Sequence, residues 1–323
     1  MTHNVKSYSK KAGSCCVLLV VLLTIGETVA RFILGLGDPP LSIEDSEIEY
    51  IFAPNQDCRR FGNRIVYNNY SLRNIENVDT NEVFQGTRVL MMGDSVLNGG
   101  SMTDHEKLAT SLAQKSLQEK YMENFQVLHC SAGSWGPGNY AAYVKKHSDF
   151  NANSIGFVLS AHDVWDVPDF RQCVGTSASY PDKKPISACS EGIFRYFVPR
   201  VSQLFPQKKF SNLEIADQDD KNKEQISLNA LQSVIEPASL RGANVFFILH
   251  RTQHEWKSKK MPDGERIFRD FAAKHNIPVY LLELDINQDY FDDIHINDHG
   301  QTKLSKIIKD HIMNIKEFEK SIE

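Results

Sequence analysis

The stretch Thr87-Arg88-Val89-Leu90-Met91-Met92-Gly93-Asp94-Ser95 decides how this chain is read. Val89 to Met92 is an apolar run of strand length, and Gly93-Asp94 ends it. Ser95 then stands where a strand hands over to a loop. Gly99-Gly100 and a helix-compatible segment from Asp104 to Tyr121 follow. A serine at the carboxyl end of a strand in an open α/β sheet lies where such folds bind ligands, and is placed to act as a nucleophile. Gly, Asp and Ser also fill ordinary turns for conformational reasons, so the triplet alone does not separate a nucleophile from a turn.

The far end of the chain separates them. Asp292-Asp293-Ile294-His295-Ile296-Asn297-Asp298-His299-Gly300 precedes a last helix-like segment, Gln301 to Phe318. Asp292 and His295 are close enough for one loop to pair carboxylate and imidazole. A nucleophilic serine needs a neutral imidazole to take its proton, and the imidazole needs a carboxylate to fix its tautomer and stabilise its cation.

Gly93-Asp94-Ser95 near the start, with Asp292-x-x-His295 near the end, resembles the SGNH (GDSL-type) hydrolase superfamily over roughly residues 86 to 320. The resemblance implies Ser95, Asp292 and His295 as the catalytic residues. It also implies an oxyanion-hole glycine after the second strand. That place is held by Ser131-Ala132-Gly133-Ser134-Trp135-Gly136, with Gly133 the expected residue and Ser134 the alternative. The third family block ordinarily reads Gly-x-Asn-Asp, and its Asn donates to the oxyanion. Here it reads Ser160-Ala161-His162-Asp163, so His162 takes the Asn position, with an imidazole N–H able to donate.

Strand-like and helix-like segments alternate through the main domain. Strands are expected at 87–92, 125–130, 155–161, 244–250 and 278–282, and helices at 104–121, 139–147, 223–235 and 264–275, before the terminal one. Alternation implies right-handed crossovers and a parallel sheet covered on both faces. Near-continuous apolar strands such as Val245-Phe246-Phe247-Ile248-Leu249 fit that burial. The expected fold is a flavodoxin-like three-layer α/β/α sandwich with five parallel strands. An interruption at about 165–220 is too long for a plain loop and is expected to be an insertion or lid. Residues 37–85, weakly alternating from Phe61 to Arg73, are expected to be a small β-rich extension packed on the domain of residues 86–323.

The N-terminus carries Lys6, Lys10 and Lys11 without an acid, then an apolar run from Cys15 to Gly26 that resumes at Phe32 to Leu36. Spanning a bilayer takes about 20 residues. Residues 14–36 are therefore expected to form a transmembrane signal anchor behind a cytoplasmic basic tail, residues 1–13, by the positive-inside rule. A cleaved signal peptide, with its site at Thr28-Val29-Ala30, is the competing reading, and either exports the domain. Glu27 and Arg31, at helical spacing, are expected to pair with each other or to mark a membrane-protein partner. Of six cysteines, Cys58, Cys130, Cys173 and Cys189 fall outside the span, where disulfides persist. A Cys173–Cys189 bridge is expected, with Cys58–Cys130 the weaker pairing.

A net charge of −5 excludes a general nucleic-acid binder, which would present a basic face. Asp292, Asp293, Asp298, His295 and His299 include metal-ligand types, but Ser95 already partners the pair, so no metal is expected there. His299 is expected to cap the terminal helix. No cofactor is needed. The expected function is hydrolysis or transfer of an O-acyl group, acetyl above all, on an extracytoplasmic carbohydrate. The alternatives are a lipid or thioester hydrolase, disfavoured because the insertion shows no evident apolar helix, and a catalytically weak SGNH domain that binds polysaccharide in a membrane complex.

Overall fold

The computed structural model describes residues 2–202 and 216–322. Helix α1 spans Thr2–Phe32. Two antiparallel hairpins follow: β1 (Ser42–Asp45) with β2 (Glu49–Phe52), and β3 (Gln56–Arg60) with β4 (Asn63–Tyr67). These are the β-rich extension.

The main domain opens with β5 (Thr87–Gly93), the short helix α2 (Ser95–Asn98), α3 (Ala109–Tyr121), β6 (Phe125–Ser131), α4 (Pro137–His147) and β7 (Ser154–Ser160). The insertion holds α5 (Ala188–Glu191), a π-helical turn (Gly192–Phe197) and α6 (Val198–Ser202). Then come α7 (Ala216–Leu240), β8 (Asn244–His250), α8 (Gln253–Ser258), α9 (Asp263–Lys274), β9 (Val279–Leu281) and α10 (Asp298–Ile322). The sheet is parallel throughout, in the order β6-β5-β7-β8-β9. The central strands are buried on both faces, and alternate side chains go to opposite layers. Leu90, Met92, Phe157 and Phe247 pack with Tyr140, Leu231 and Phe268 of α4, α7 and α9. Val89, Met91, Val158 and Phe246 pack with Ala113 and Leu304 of α3 and α10. That is the expected three-layer sandwich.

The extension is bound in by charge. Arg73, fully buried, donates from Nη2 to the Thr103 carbonyl at 2.9 Å and from Nη1 to Asn98 Oδ1 at 3.1 Å. Arg60 of β3 pairs with Glu191 of α5, both buried, and Glu191 also accepts from Gly37 N at 2.6 Å. A buried charge stripped of its partner is strongly destabilising, so these pairs fix how the extension and insertion sit on the domain.

Glu27 and Arg31 do pair, at 2.7 Å. Glu27 also accepts from Ser187 Oγ (2.8 Å), Ala188 N (2.9 Å) and Cys189 N (3.0 Å), so it caps α5, and Arg31 donates to the Ile186 carbonyl at 3.1 Å. Among the described residues no helix is long and apolar enough to cross a membrane. The side chains of residues 2–13 and 15, which include the lysines of the basic tail, lie outside the described residues.

Two expectations are corrected. Cys173 and Cys189 are free thiols, as are Cys58 and Cys130. Cys173 packs against the core cluster that includes Tyr50, whereas Cys189 lies against Gly26 of α1, so the two loop ends that sequence spacing would join belong to different packing clusters. The insertion also does contain an apolar helical face: Ile193, Phe194, Phe197 and Val198 are exposed along it. Residues 203–215, also within the expected insertion, lie outside the described residues.

Candidate active site

The sheet register brings the site together. Gly93 at the end of β5 lies opposite Ser131 of β6 and Val158 of β7, and Ser160 lies opposite His250 of β8. The carboxyl ends of four strands thus share one edge. At that edge Asp94 caps α2, its Oδ1 accepting from Val96 N at 2.8 Å, and Ser95 opens the helix.

His295 Nε2 lies 3.0 Å from Ser95 Oγ, and His295 Nδ1 lies 2.8 Å from Asp292 Oδ2. The other Asp292 oxygen accepts backbone N–H groups from Ile294 (2.9 Å) and His295 (2.7 Å). Partial burial pushes the Asp292 carboxyl up, but the His295 N–H, the imidazole and the Ile294 N–H outweigh it and hold the group below the ordinary carboxylate range. An ionised Asp292 accepts from Nδ1–H, which leaves Nε2 unprotonated toward the serine. The two partners separated by 200 residues of chain form one relay.

This is a Ser–His–Asp relay.

No protein-family model matches the chain, and no curated protein does. Among solved structures it is similar to an alpha/beta hydrolase from the metagenome of Lake Arreo, Spain, at 12% identity over 69% of this chain and 93% of that one, TM-score 0.42. It is likewise similar to a lipase/acylhydrolase from Enterococcus faecalis, at 11% identity over 70% and 95%, TM-score 0.42. A third is an acetylxylan esterase from Geobacillus stearothermophilus, at 12% identity over 69% and 92%, TM-score 0.41.

The two residues expected as further oxyanion donors, Gly133 and His162, lie at the same sheet edge. Gly133 follows β6, and its carbonyl accepts from the Tyr50 hydroxyl at 2.6 Å. Ser134 takes a left-handed conformation, φ 58°, which aims the turn into α4. His162 lies in a 3₁₀ turn, Ala161–Val164, at the end of β7. Its Nε2 faces two carboxylates, Asp163 Oδ1 at 3.3 Å and Asp94 Oδ2 at 3.8 Å. The turn is seated tightly: a Cβ on Gly264 of α9 would collide with the Ala161 carbonyl. His299 does not cap α10; Asn297 Oδ1 does, accepting from His299 N (2.9 Å) and Gly300 N (3.2 Å).

Sequence reading missed the groups that hold these residues in register. Gln301, fully buried in the first turn of α10, accepts from Ala109 N at 2.9 Å and donates to the Val96 carbonyl at 3.2 Å. It ties the helix behind His295 to the helix that begins with Ser95. Asn98 Nδ2 donates to Ser131 Oγ (3.1 Å) and to the Ser131 carbonyl (3.0 Å), joining α2 to β6. Gln253 of α8 donates to the Asp292 carbonyl (2.9 Å), and its N–H to that of Asp293 (2.8 Å). His250 lies beneath the site with Nδ1 3.0 Å from Ser160 Oγ. Burial, with repulsion from His162 and His295, pushes His250 down to about 3, so it is a neutral ring.

Proposed function

We propose that this chain is a serine-dependent O-acyl ester hydrolase or O-acyltransferase that acts on acyl groups, acetyl above all, of an extracytoplasmic carbohydrate. The observation that carries the reading is the relay from Asp292 through His295 to Ser95 at 2.8 and 3.0 Å. Ser95 Oγ attacks the ester carbonyl as His295 Nε2 takes its proton. The imidazolium, held by Asp292, then returns that proton to the leaving alcohol, which releases it and leaves an acyl-serine. The backbone N–H groups of Ser95 and Gly133 and a ring N–H of His162 are the expected oxyanion donors. Water as the second acceptor regenerates the serine as a hydrolase; a sugar hydroxyl does so as a transferase. Both need the same residues and no cofactor.

The openness of the site favours a small acyl group on a polar carrier. The side chains of His295 and His162 are 44% and 49% exposed, so the reacting atoms open on solvent. A long acyl chain would need apolar cover there.

The anchored, extracytoplasmic placement is part of the proposal. Val17 to Leu23 of α1 are all between 46% and 65% exposed, so the helix presents apolar side chains on every side. Thr24 and Thr28 return their hydroxyls to the carbonyls of Val20 (2.8 Å) and Thr24 (2.7 Å), which satisfies both within the helix. Such a helix fits a lipid surround or an apolar helical partner.

Turnover of p-nitrophenyl acetate by purified protein, lost in Ser95→Ala, tests the enzyme reading; equal turnover by the variant overturns it. Release of acetate from an acetylated polysaccharide, compared with acetyl transfer to added oligosaccharide, separates hydrolase from transferase. Membrane fractionation of the full chain against a chain lacking residues 2–36 tests the anchor.

A further inference from the structure

Asp94 and Asp163 are both buried, 2% and 0% exposed, and stand on different segments at the same strand edge. Each has one oxygen tied to backbone: Asp94 Oδ1 accepts from Val96 N, and Asp163 Oδ2 accepts from Ser160 N, both at 2.8 Å. Each turns its other oxygen toward His162 Nε2, at 3.8 and 3.3 Å. Asp163 Oδ1 is fully buried and makes no hydrogen bond. The three donor atoms lie within 4.8 Å of one another.

We propose that Asp94, His162 and Asp163 bind a divalent transition-metal ion of the zinc class, and that the bound ion suppresses the serine chemistry beside it.

The spacing suits the ion. Ligand atoms about 2.0–2.1 Å from zinc at tetrahedral angles stand about 3.3–3.5 Å apart; His162 and Asp163 already stand at 3.3 Å, and Asp94, at 3.8 Å from His162, would close in by a few tenths of an ångström or more on binding. One imidazole with two carboxylates is a borderline donor set that zinc accepts, and three protein ligands leave a fourth position open. The carboxylates are pre-aimed, because the backbone N–H groups behind them fix their free oxygens, as outer-shell partners do in metal sites. Charge points the same way. Two carboxylates stand together in a buried place, the imidazoles of His162 and, toward Asp94, His295 are the cationic groups that face them, and a divalent ion supplies what the cluster lacks.

Suppression follows from where Asp94 stands. Its carboxylate is one residue from Ser95 and its charge is felt at His295, which must become a cation as the serine attacks. An ion held on Asp94 cancels that charge and opposes the imidazolium. It also holds the His162 ring on the metal rather than free to follow the oxyanion. Only this inhibitory half rests on the hydrolase reading; binding does not.

The test titrates Co²⁺, then Zn²⁺, into the full-length chain and reads the visible absorption of tetrahedral cobalt, its displacement by zinc, and ester turnover in parallel. Binding at one ion per chain is expected in the parent, in Ser95→Ala and in His295→Ala. It should weaken at least tenfold in His162→Ala, whose half-exposed side chain can be removed without a cavity, and in Asp163→Asn. Saturating zinc should lower parental turnover at least tenfold. No cobalt spectrum at micromolar metal, or binding lost in His295→Ala and kept in His162→Ala, overturns the site. Binding at His162 with unchanged or raised turnover overturns suppression. If the parent has no esterase activity, the hydrolase reading fails while the cobalt spectrum still decides the site.

Discussion

Replacing Gln301 by Met tests whether the distance between Ser95 and His295 is set by the buried amide that bridges their helices. The side chain accepts from Ala109 N at 2.9 Å and donates to the Val96 carbonyl at 3.2 Å, with no exposure to solvent. Methionine fills a similar volume but makes neither bond. Each orphaned buried backbone group costs about 1–3 kcal/mol, so the pair costs about 2–6 kcal/mol, offset by roughly 1 kcal/mol from burying an apolar side chain in place of an amide. At about 2–4 °C per kcal/mol for a domain of this size, Tm should fall by several degrees at least, read by calorimetry or circular dichroism. Val96 follows the nucleophile directly, so loosening its carbonyl loosens Ser95. A displacement of about 1 Å costs up to about 100-fold in rate. Ester turnover should therefore fall by about 10–100-fold with KM changed little. Gln301→Glu puts a carboxylate in the same buried place with no cation beside it, so it should lose at least as much Tm as Gln301→Met. A Gln301→Met protein with Tm within about 1 °C of the parent and turnover within about twofold would refute the bridge as the device that sets this distance.

Ser95→Ala and His295→Ala should each abolish most turnover, and the double variant should be little worse than either, because members of one catalytic unit are not additive; additive losses in steady-state kinetics would separate them. His162→Ala should lower turnover by about 10²–10³ with a smaller change in KM, and His162→Asn should recover part of it, if a ring N–H serves the oxyanion. Asp163 bears on stability: burial and the Asp94 charge hold its carboxyl well above the ordinary range, so its stabilising contribution is present below the unfolded value and is lost as pH rises through the folded one. Asp163→Asn, neutral at every pH and still able to accept from Ser160 N, should lose less Tm than the parent across the weakly acidic range, and parallel Tm–pH curves would rule this out.

The five strands were legible because each is a short apolar run between turn residues; four are buried on both faces, and β9 at the sheet edge is half-buried. The relay was legible because Asp292 and His295 share one loop and Ser95 follows a strand. What stayed hidden was held by partners far along the chain. Nothing local to Gln301 marks it as the bridge between α2, α3 and α10, and Arg73 reads as one more surface cation until its contacts with Asn98 and Thr103 are seen. The cysteines misled for the same reason: spacing in sequence says how long a loop is, not which cluster each end packs in. His162 lies just past the end of β7, but the carboxylates that its Nε2 meets come from two different segments.

The capping of α5 by Glu27 has a mechanical consequence. A flexible tether would let the catalytic head tumble, and its reach would be set by tether length. Here α1 runs into the domain with no slack. Leu36 packs with Ala30 and Ala188, Phe61 N donates to the Leu34 carbonyl at 2.9 Å, and Glu27 grips the start of α5. The end of α1 and the domain therefore move as one piece. If α1 is held in a membrane or by a partner, as proposed, whatever holds it would also set the bearing and height of Ser95, and an ester would have to come to that position to react.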